Sequence, residues 1–524
     1  MQLVAYGAQD VYLTGNPKVT FFQAVYKRHT NFAMELIQQT VSGTPGNSTR
    51  LSVTIARNGD LIGNMHLALQ PIVPVNITTG AAPSTTTLLL TSTNDKYDAC
   101  WVAERAIAGL ELTIGGQRID KHYQTWWRLY AEVFLNESDK YAWGKMTTQS
   151  NPNPTQTSLP KVFLPLLFFF NRNPGLYLPL IALQYHEVRL DFDTTAYYNS
   201  YFQGSAFEVW GNYIYLDTEE RRRFAQKGHE YLIEQLQHNG GDALTSTGNS
   251  EGNVQLVRVA FNHPVKELIW CYQNPTSAAQ GSTQLNGMWN FTTGTSNVNV
   301  TCDPMKLTAT GNMVLPHVTG VPHLYTPSGI GLVTPGLPPT QNLTSTNNLT
   351  SSGTAIPLVS VNLGPIQIIN SNVVLSNVLT GNAFWIEEGT QLLGGTTGPF
   401  GANHGATGLY GNTYTGFEVG PLHQFKIVLN GQDRFKEQYG KYFNALQPYY
   451  HHTGTPYPGI YVYSFALQPE EHQPTGTCNF SRIDNAQVWV QLKSNSQATT
   501  QKMFAINYNV LRIQSGMGGL AFSN

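Results

Sequence analysis

The residues that could do chemistry come in short clusters, and each can be tested against the geometry that its chemistry needs. His186-Glu187 and His229-Glu230 both begin like the zinc-protease pattern H-E-x-x-H. That pattern needs a second histidine four positions on, and Leu190 and Ile233 stand there instead. Gly248-Asn-Ser-Glu-Gly252 fits G-x-S-x-G, whose serine works only on a sharp strand-to-helix elbow. Here the motif lies in a Gly/Ser/Thr stretch with no helical pattern after it, so it reads as coincidence. Glu387-Glu388 and Glu470-Glu471 are adjacent carboxylates. Neighbours on a strand point to opposite faces, so neither pair is a ready acid/base couple. His451-His452 lies in an aromatic, proline-containing stretch, where packing or surface roles are preferred to metal binding. Arg221, Arg222 and Arg223 could hold a phosphate, but Glu219 and Glu220 stand beside them and are the simpler partners. Cys100, Cys271, Cys302 and Cys478 are scattered without ligand spacing, which suits free thiols in a reducing compartment. The expectation is therefore no catalytic residue, no cofactor-binding residue and no metal ligand: not an enzyme.

The rest of the composition points to architecture. Charged residues make up 12% of the chain, about half the usual share, and the net charge is −2. Nothing in that balance favours direct nucleic-acid binding. The 524 residues are too many for one ordinary core. The longest apolar run, VFLPLLFFF at 162–170, is too short to span a bilayer, and MQLVAYGAQD is not a signal peptide.

Alternating apolar segments are spread along the chain and predict an all-β protein. Strands are expected at 32–39, 51–57, 61–70, 110–114, 162–170, 176–183, 187–192 and 207–216. After these come 231–237, 254–261, 265–272, 422–429, 460–467, 486–492 and 503–513. Asn58-Gly59 predicts a hairpin between the strands on either side of it. A helix is compatible with 123–134, where Trp126, Trp127, Tyr130 and Phe134 form a stripe that reads as core. From 273 to 415 only Asp303, Lys306, Glu387 and Glu388 are charged, which suggests elaborated outer loops.

Charge is concentrated at one point. Nine charged residues fall between Asp217 and Glu234. Asp217 and Glu220 have capping-box spacing, and Gly228 reads as the stop of a short helix. On either side lies the same kind of β pattern. Leu110-x-Leu-x-Ile-x-Gly-Gln117 aligns with Phe425-x-Ile-x-Leu-x-Gly-Gln432, 315 positions on. Pro174-Gly-Leu-Tyr-Leu178 aligns with Pro458-Gly-Ile-Tyr-Val462 at an offset of 284, which implies 31 extra residues in the first half. The reading is two duplicated β-sandwiches with the charged helix between them.

Several stretches resemble the major capsid proteins of nucleocytoplasmic large DNA viruses, the algal-virus and giant-virus branches in particular. They are LTGNPKVTFFQAVYKRHTN at 13–31, GGQRIDKHY at 115–123, PLIALQYHEV at 179–188 and NHPVKELIW at 262–270. YSFALQPEEHQPTGTCNFSRID at 463–484 and NYNVLRIQSGMGGLAFS at 507–523 continue the series. The resemblance implies two consecutive eight-stranded jelly-roll β-sandwiches, a double jelly roll. On that basis 1–26 is an N-terminal arm, 27–216 the first jelly roll and 217–228 a helical linker. The second jelly roll is 229–524, with its long outer loops at about 273–415. The resemblance further implies a structural role: homotrimeric, pseudo-hexagonal capsomers tile an icosahedral virion shell, assembled in the host cytoplasm. The partners implied are other copies of the chain in the trimer and in neighbouring capsomers, minor capsid and penton proteins, and a nearby internal viral membrane. Two rival readings stand beside it: a carbohydrate-binding jelly-roll protein, and a minor capsid or spike component of the same virion.

Overall fold

The computed structural model describes residues 7–71, 101–147, 160–244, 254–273, 289, 291, 420–456, 459–493 and 500–522, with short strands between 298 and 388. In the first half the strands are β1 (Phe32–Gln39), β2 (Val41–Ser42), β3 (Arg50–Thr54), β4 (Leu61–Pro71) and β5 (Ile107–Ile114). They continue with β6 (Gln117–Tyr123), β7 (Val162–Pro165), β8 (Leu178–Pro179), β9 (Val188–Thr194) and β10 (Phe202–Leu216). In the second half, β11 (His229–Ala243), β12 (Val254–Arg258) and β13 (Pro264–Gln273) come first. Short strands follow: β14 (Val298–Thr301), β15 (Thr308–Ala309), β16 (Asn312–Met313), β17 (Leu349–Ser351), β18 (Thr354–Ile356), β19 (Val373–Leu375) and β20 (Phe384–Glu388). The second half closes with β21 (Leu422–Leu429), β22 (Gln432–Asp433), β23 (Gln438–Tyr439), β24 (Ile460–Ser464), β25 (Cys478–Asn479), β26 (Ala486–Leu492), β27 (Thr500–Gln514) and β28 (Met517–Leu520).

The two halves pair their strands in the same order. The first contains the sheets β1-β10-β4-β7 and β2-β3-β9-β5-β6; the second contains β11-β27-β13-β24 and β12-β26-β21-β22. Number the eight principal strands of each half in sequence, leaving out β2, β8, the short strands β14–β20, β23, β25 and β28. One sheet is then 1-8-3-6 and the other 2-7-4-5, the strand order of a jelly roll. Among the described residues every strand pairing is antiparallel, so each face can alternate buried and exposed positions.

Register makes the duplication quantitative. Leu110 lies opposite Phe192 and Phe425 opposite Val490, and Phe192 and Val490 are 298 positions apart. The last strands, starting at Phe202 and Thr500, have that same separation of 298. Through them, Gln39 opposite Val209 corresponds to Gln235 opposite Asn507, and Ile37 corresponds to Ile233. Both β5–β6 and β21–β22 close through two residues with positive φ: Gly115 (58°) and Gly116 (83°), then Asn430 (51°) and Gly431 (77°). Two left-handed residues give the turn twist that suits adjacent antiparallel strands. The Leu110/Phe425 alignment is therefore structural.

Other expectations are corrected. Pro174–Leu178 and Pro458–Val462 are not counterparts: Leu178 pairs with Ile62 through β8, whereas β24 pairs with the middle of β13. Both β24 and β7 are sixth strands, so the shared Pro-Gly is local turn chemistry and the 31-residue difference falls away. Asn58-Gly59 closes no hairpin. Before it β3 pairs with β9, after it β4 pairs with β10, and residues 55–60 cross between sheets. Tyr213 fixes that crossing by donating its hydroxyl to Ala56 O at 2.6 Å. The run 162–170 is strand only as far as Pro165; a short helical turn, α4 (Phe169–Arg172), takes its end, following α1 (Val11–Thr14), α2 (Gln124–Phe134) and α3 (Glu137–Thr147).

After α5 (Tyr198–Tyr201), the junction helix α6 is Thr218–Gln226. Asp217 sits at its N-cap without a side-chain cap bond, so the capping box does not form. Lys227, already extended, ends the helix one residue before Gly228. Arg222 meets Glu219 at 3.3 Å, but Arg221 reaches back to Asp60 at 3.0 Å, tying the junction to the first sandwich. In the second half a π-helical turn, Tyr442–Leu446, runs into α7 (Gln447–His451).

One apolar cluster fills the second sandwich, with Leu268, Trp270, Phe425, Tyr461, Met503 and Ala505. The other fills the first sandwich and continues onto the opposite face of sheet β11-β27-β13-β24, through Ile269, Cys271, Ile460, Val462, Phe504 and Ile506. The rolls are therefore joined by shared core, not only by the linker. Each apolar side chain so buried contributes about 1.5–3 kcal/mol.

Candidate functional site

The surfaces that could act in this molecule are its joints, and the best defined is the seam between the rolls. From the first roll come the edge strand β6, the helix α2 that follows it, and α4. From the second come β11, β27 and the segment after α7. The aromatic stripe of α2 is divided between core and seam: Trp127 is fully buried, while Trp126 lies 5.7 Å from Phe504 between ring centroids. Tyr123 meets His238 at a tilt, 4.7 Å between ring centroids, and Phe134 meets His452 edge-on at 5.3 Å.

Polar groups fix the register of these apolar contacts. Asp120 Oδ1 accepts the Leu236 N–H at 3.0 Å, and the Gln235 amide donates to Ile119 O. An edge strand leaves backbone groups unpaired, and here a side chain of the other roll satisfies one on each strand, Leu236 N–H and Ile119 O. Glu234 lies between two cations, Arg172 at 3.1 Å and Lys266 at 2.5 Å. Burial alone would raise its carboxyl; the two cations outweigh burial and hold it below the usual carboxylate range. Lys502 donates to Thr125 Oγ1 at 3.0 Å and Lys140 to Thr455 O at 2.7 Å, both across the seam.

Of the clusters singled out in the sequence, His451-His452 is split. His451 is half-buried and faces Leu467 O at 3.0 Å. The His452 ring is wholly enclosed between Glu267 at 3.1 Å and Glu470 at 3.2 Å. The Glu267 contact is an ion pair at contact distance whose N–H is poorly aimed. Burial works against a charged imidazole, but the two carboxylates prevail and lift His452 to about 9. His186 takes the Gly518 N–H at 3.1 Å, which ties the first roll to β28. His229 stacks on Phe224 and Tyr231. Arg221–Arg223, with Arg221 on Asp60, do not converge on one point. Gly248–Gly252, Cys100 and Cys302 lie outside the described residues, as do the side chains of Glu387 and Glu388 and most of 273–415. Asp120 and Gln235 carried no signal in the sequence, because their partners across the seam are more than a hundred positions away; His452 was visible as half of a histidine pair, but nothing local linked it to Glu267 or Glu470.

Two further surfaces are exposed. The segment 7–31 is arm-like, with Tyr12 91%, Phe21 94%, Phe22 98% and Tyr26 89% exposed. On β1, the alternate residues Phe32, Met34 and Leu36 are 52%, 59% and 52% exposed, a row of large apolar side chains on one face. A second apolar group lies on the other roll: Tyr439, Tyr449, Tyr450 and Leu467, at 59%, 79%, 64% and 73%.

Comparison with known proteins agrees with this architecture. Residues 220–519 match the family described as large eukaryotic DNA virus major capsid protein, and 20–217 match the major capsid protein N-terminus. The major capsid proteins of Phaeocystis pouchetii virus and Paramecium bursaria Chlorella virus 1 are each 37% identical, over 100% of this chain and 99% of theirs. Among solved structures, the PBCV-1 virus capsid matches with a TM-score of 0.61 at 32% identity, covering 96% of this chain and 100% of that one. The Faustovirus major capsid protein, at 12% identity and a TM-score of 0.57 over 97% of this chain and 94% of its own, shares the fold. Two jelly rolls in series, matched over the whole chain at this identity, place the chain in the major capsid protein family of large eukaryotic DNA viruses, as a structural component of the virion's icosahedral shell.

Proposed function

We propose that three copies of this chain close into a pseudo-hexagonal capsomer, and that capsomers tile the shell. The observation that carries this is the seam. It joins unlike faces of two like rolls, and a contact between unlike faces, repeated through a rotation that closes, makes a ring. Three chains supply six rolls. The chain divides into an arm at 1–26, a first roll at 27–216, a linker at 217–228 and a second roll at 229–524. The exposed aromatic arm is the element offered to minor capsid and penton proteins on the side facing an internal membrane. The role is structural, without catalysis and without direct contact to nucleic acid; the small net charge of −2 supports the last point. Mass measurement and electron microscopy of the purified protein test the reading. A species three times 57.9 kDa, about 174 kDa, with a hexagonal outline is expected. A stable monomer with hydrolase activity would overturn it.

A further inference from the structure

We propose that the groove between the junction helix α6 and the start of the second roll binds a nucleoside phosphate. The phosphates meet Arg223 and Lys227, and the base lies against a column of aromatic rings. The site is independent of the capsomer reading, because every residue in it belongs to one chain.

Sequence spacing builds one wall. Glu220, Arg223, Phe224 and Lys227 recur at i, i+3, i+4 and i+7, which places them on one side of α6 and its C-cap. That side faces the start of β11 and the end of β27, where His229 lies opposite Ile513 and Tyr231 opposite Leu511. The groove between them has a volume of about 720 Å³. Small-molecule sites run from roughly 300 to 1,000 Å³, so it is large enough for a nucleotide. The rings along it are ordered. Phe224 and His229 stack with centroids 5.2 Å and planes 23° apart, and His229 and Tyr231 follow at 5.9 Å and 18°. His229 Nε2 donates to Phe224 O at 2.8 Å, which ties the middle ring to the helix. All three rings are only half-buried. Nearly parallel, partly exposed rings suit a flat ligand, and every nucleobase has a face that stacks on them.

The charges of the groove do not cancel. Glu219 is taken by Arg222, and Arg221 turns away to Asp60. Arg512 is closed on Glu230 at 2.8 Å. Arg223 and Lys227 are exposed, one helical turn apart, and pair with no carboxylate among the described residues. They are placed to meet the oxygens of a phosphate chain, which a guanidinium and an ammonium both bind through charge-assisted hydrogen bonds. Glu220 has the opposite sign and a different part. Its Oε2 is buried with no hydrogen-bond partner among the protein atoms. A buried acceptor of this kind calls for a donor, and a ribose hydroxyl or the exocyclic amine of a base supplies one. Inorganic phosphate brings neither ring nor sugar, and a lipid headgroup brings no ring. A nucleoside phosphate answers the rings, the two cations and the buried acceptor together.

Equilibrium dialysis of the full-length protein at low ionic strength tests the assignment, with adenosine triphosphate, inorganic triphosphate and adenosine as separate probes. Adenosine triphosphate is expected to bind at least about tenfold more tightly than either of the other two. Arg223→Ala and Lys227→Ala should each weaken it about tenfold, the usual effect of losing one hydrogen bond to a charged group. Arg222→Ala removes the same charge from a position outside the groove and should leave the affinity unchanged. Phe224→Leu should weaken adenosine triphosphate and leave inorganic triphosphate as it was. The two cations are exposed, so their variants should keep the unfolding midpoint and report on the site even where Phe224→Leu loses stability. Failure of adenosine triphosphate to bind overturns the assignment. So does equal affinity for inorganic triphosphate, which would mean that the rings take no part. Equal weakening by Arg222→Ala and Arg223→Ala also overturns it, because attraction would then be diffuse.

Discussion

Asp120 holds the edge of the second roll. Its Oδ1 accepts the Leu236 N–H at 3.0 Å, while its Oδ2 faces His122 Nε2 at 3.1 Å. Replacing it by alanine leaves a buried amide without a partner, which costs about 1–3 kcal/mol, and removes a charged acceptor as well. Asp120→Ala should lower unfolding free energy by about 3 kcal/mol in a urea titration. Asp120→Asn, which keeps an acceptor, should lose less. Equal losses from the two would show that the Leu236 bond contributes nothing.

His452 gives the seam a pH signature. Its ordinary value is 6.5 and its folded value about 9, so the folded state favours the charged ring. The stability this contributes is fully present below pH 6.5 and is lost as pH rises through about 9. The amount is on the order of 3 kcal/mol at 1.36 kcal/mol per unit. At the acid end, burial is outweighed by the bonds from His452 and Thr453, and the Glu470 carboxyl is held down. Its contribution is present above its ordinary value of 4.5 and fades as pH falls. Chemical unfolding at pH 6 and pH 9.5 should therefore differ, and His452→Gln should be weaker at pH 6 with a flatter profile. An unchanged slope in that variant would remove His452 as the cause.

Two glycines separate backbone strain from crowding. A Cβ on Gly431 would meet nothing within 4 Å, but φ is +77°. Gly431→Val should cost about 2 kcal/mol from the left-handed backbone alone. On Gly454 a Cβ would fall 2.6 Å from Leu135 O and 2.7 Å from Val133 O, both backbone atoms at the end of α2. Gly454→Ala should force the seam apart and cost about 1–3 kcal/mol. Differential scanning calorimetry reads both. Loss of trimer in Gly454→Ala but not in Gly431→Val is the expected contrast.

The arm should be dispensable for folding. Its large apolar residues from Val11 to Tyr26 are all more than 60% exposed, so removing 1–26 should change stability by less than about 0.5 kcal/mol. Trimer yield should hold while shell assembly fails. Normal shells from the truncated chain would end the proposed role of the arm.

Legibility in the sequence followed locality. Strands 422–429 and 486–492 were visible residue for residue, because alternation is a short-range pattern. The Gly-Gln turns gave away the duplication for the same reason. Asn58-Gly59 misled because a turn signal does not say whether the chain returns to its own sheet or crosses to the other. The Pro-Gly match misled because a turn motif recurs without topology. Asp217 and Glu220 have the right spacing for a capping box, but spacing does not fix rotamers. The seam was invisible: Gln235 and Ile119 are 116 positions apart, and only the folded sheets bring them together.

The constant 298-residue separation of the last strands has a consequence for how such chains grow. Between β4 and β5 the first roll spends residues 72–106, and between β13 and β21 the second spends residues 274–421. Nearly all the extra length of the second half is thus lodged in one connection, and the sixth, seventh and eighth strands beyond it keep a constant offset. Joining two fixed strand ends by a chain about four times longer costs only about 1.2 kcal/mol in closure entropy, at roughly 0.6 kcal/mol per doubling. That single connection is a nearly free variable in the scaffold. Foreign peptide cargo inserted there should be carried at small thermodynamic expense, once on every copy of a surface lattice.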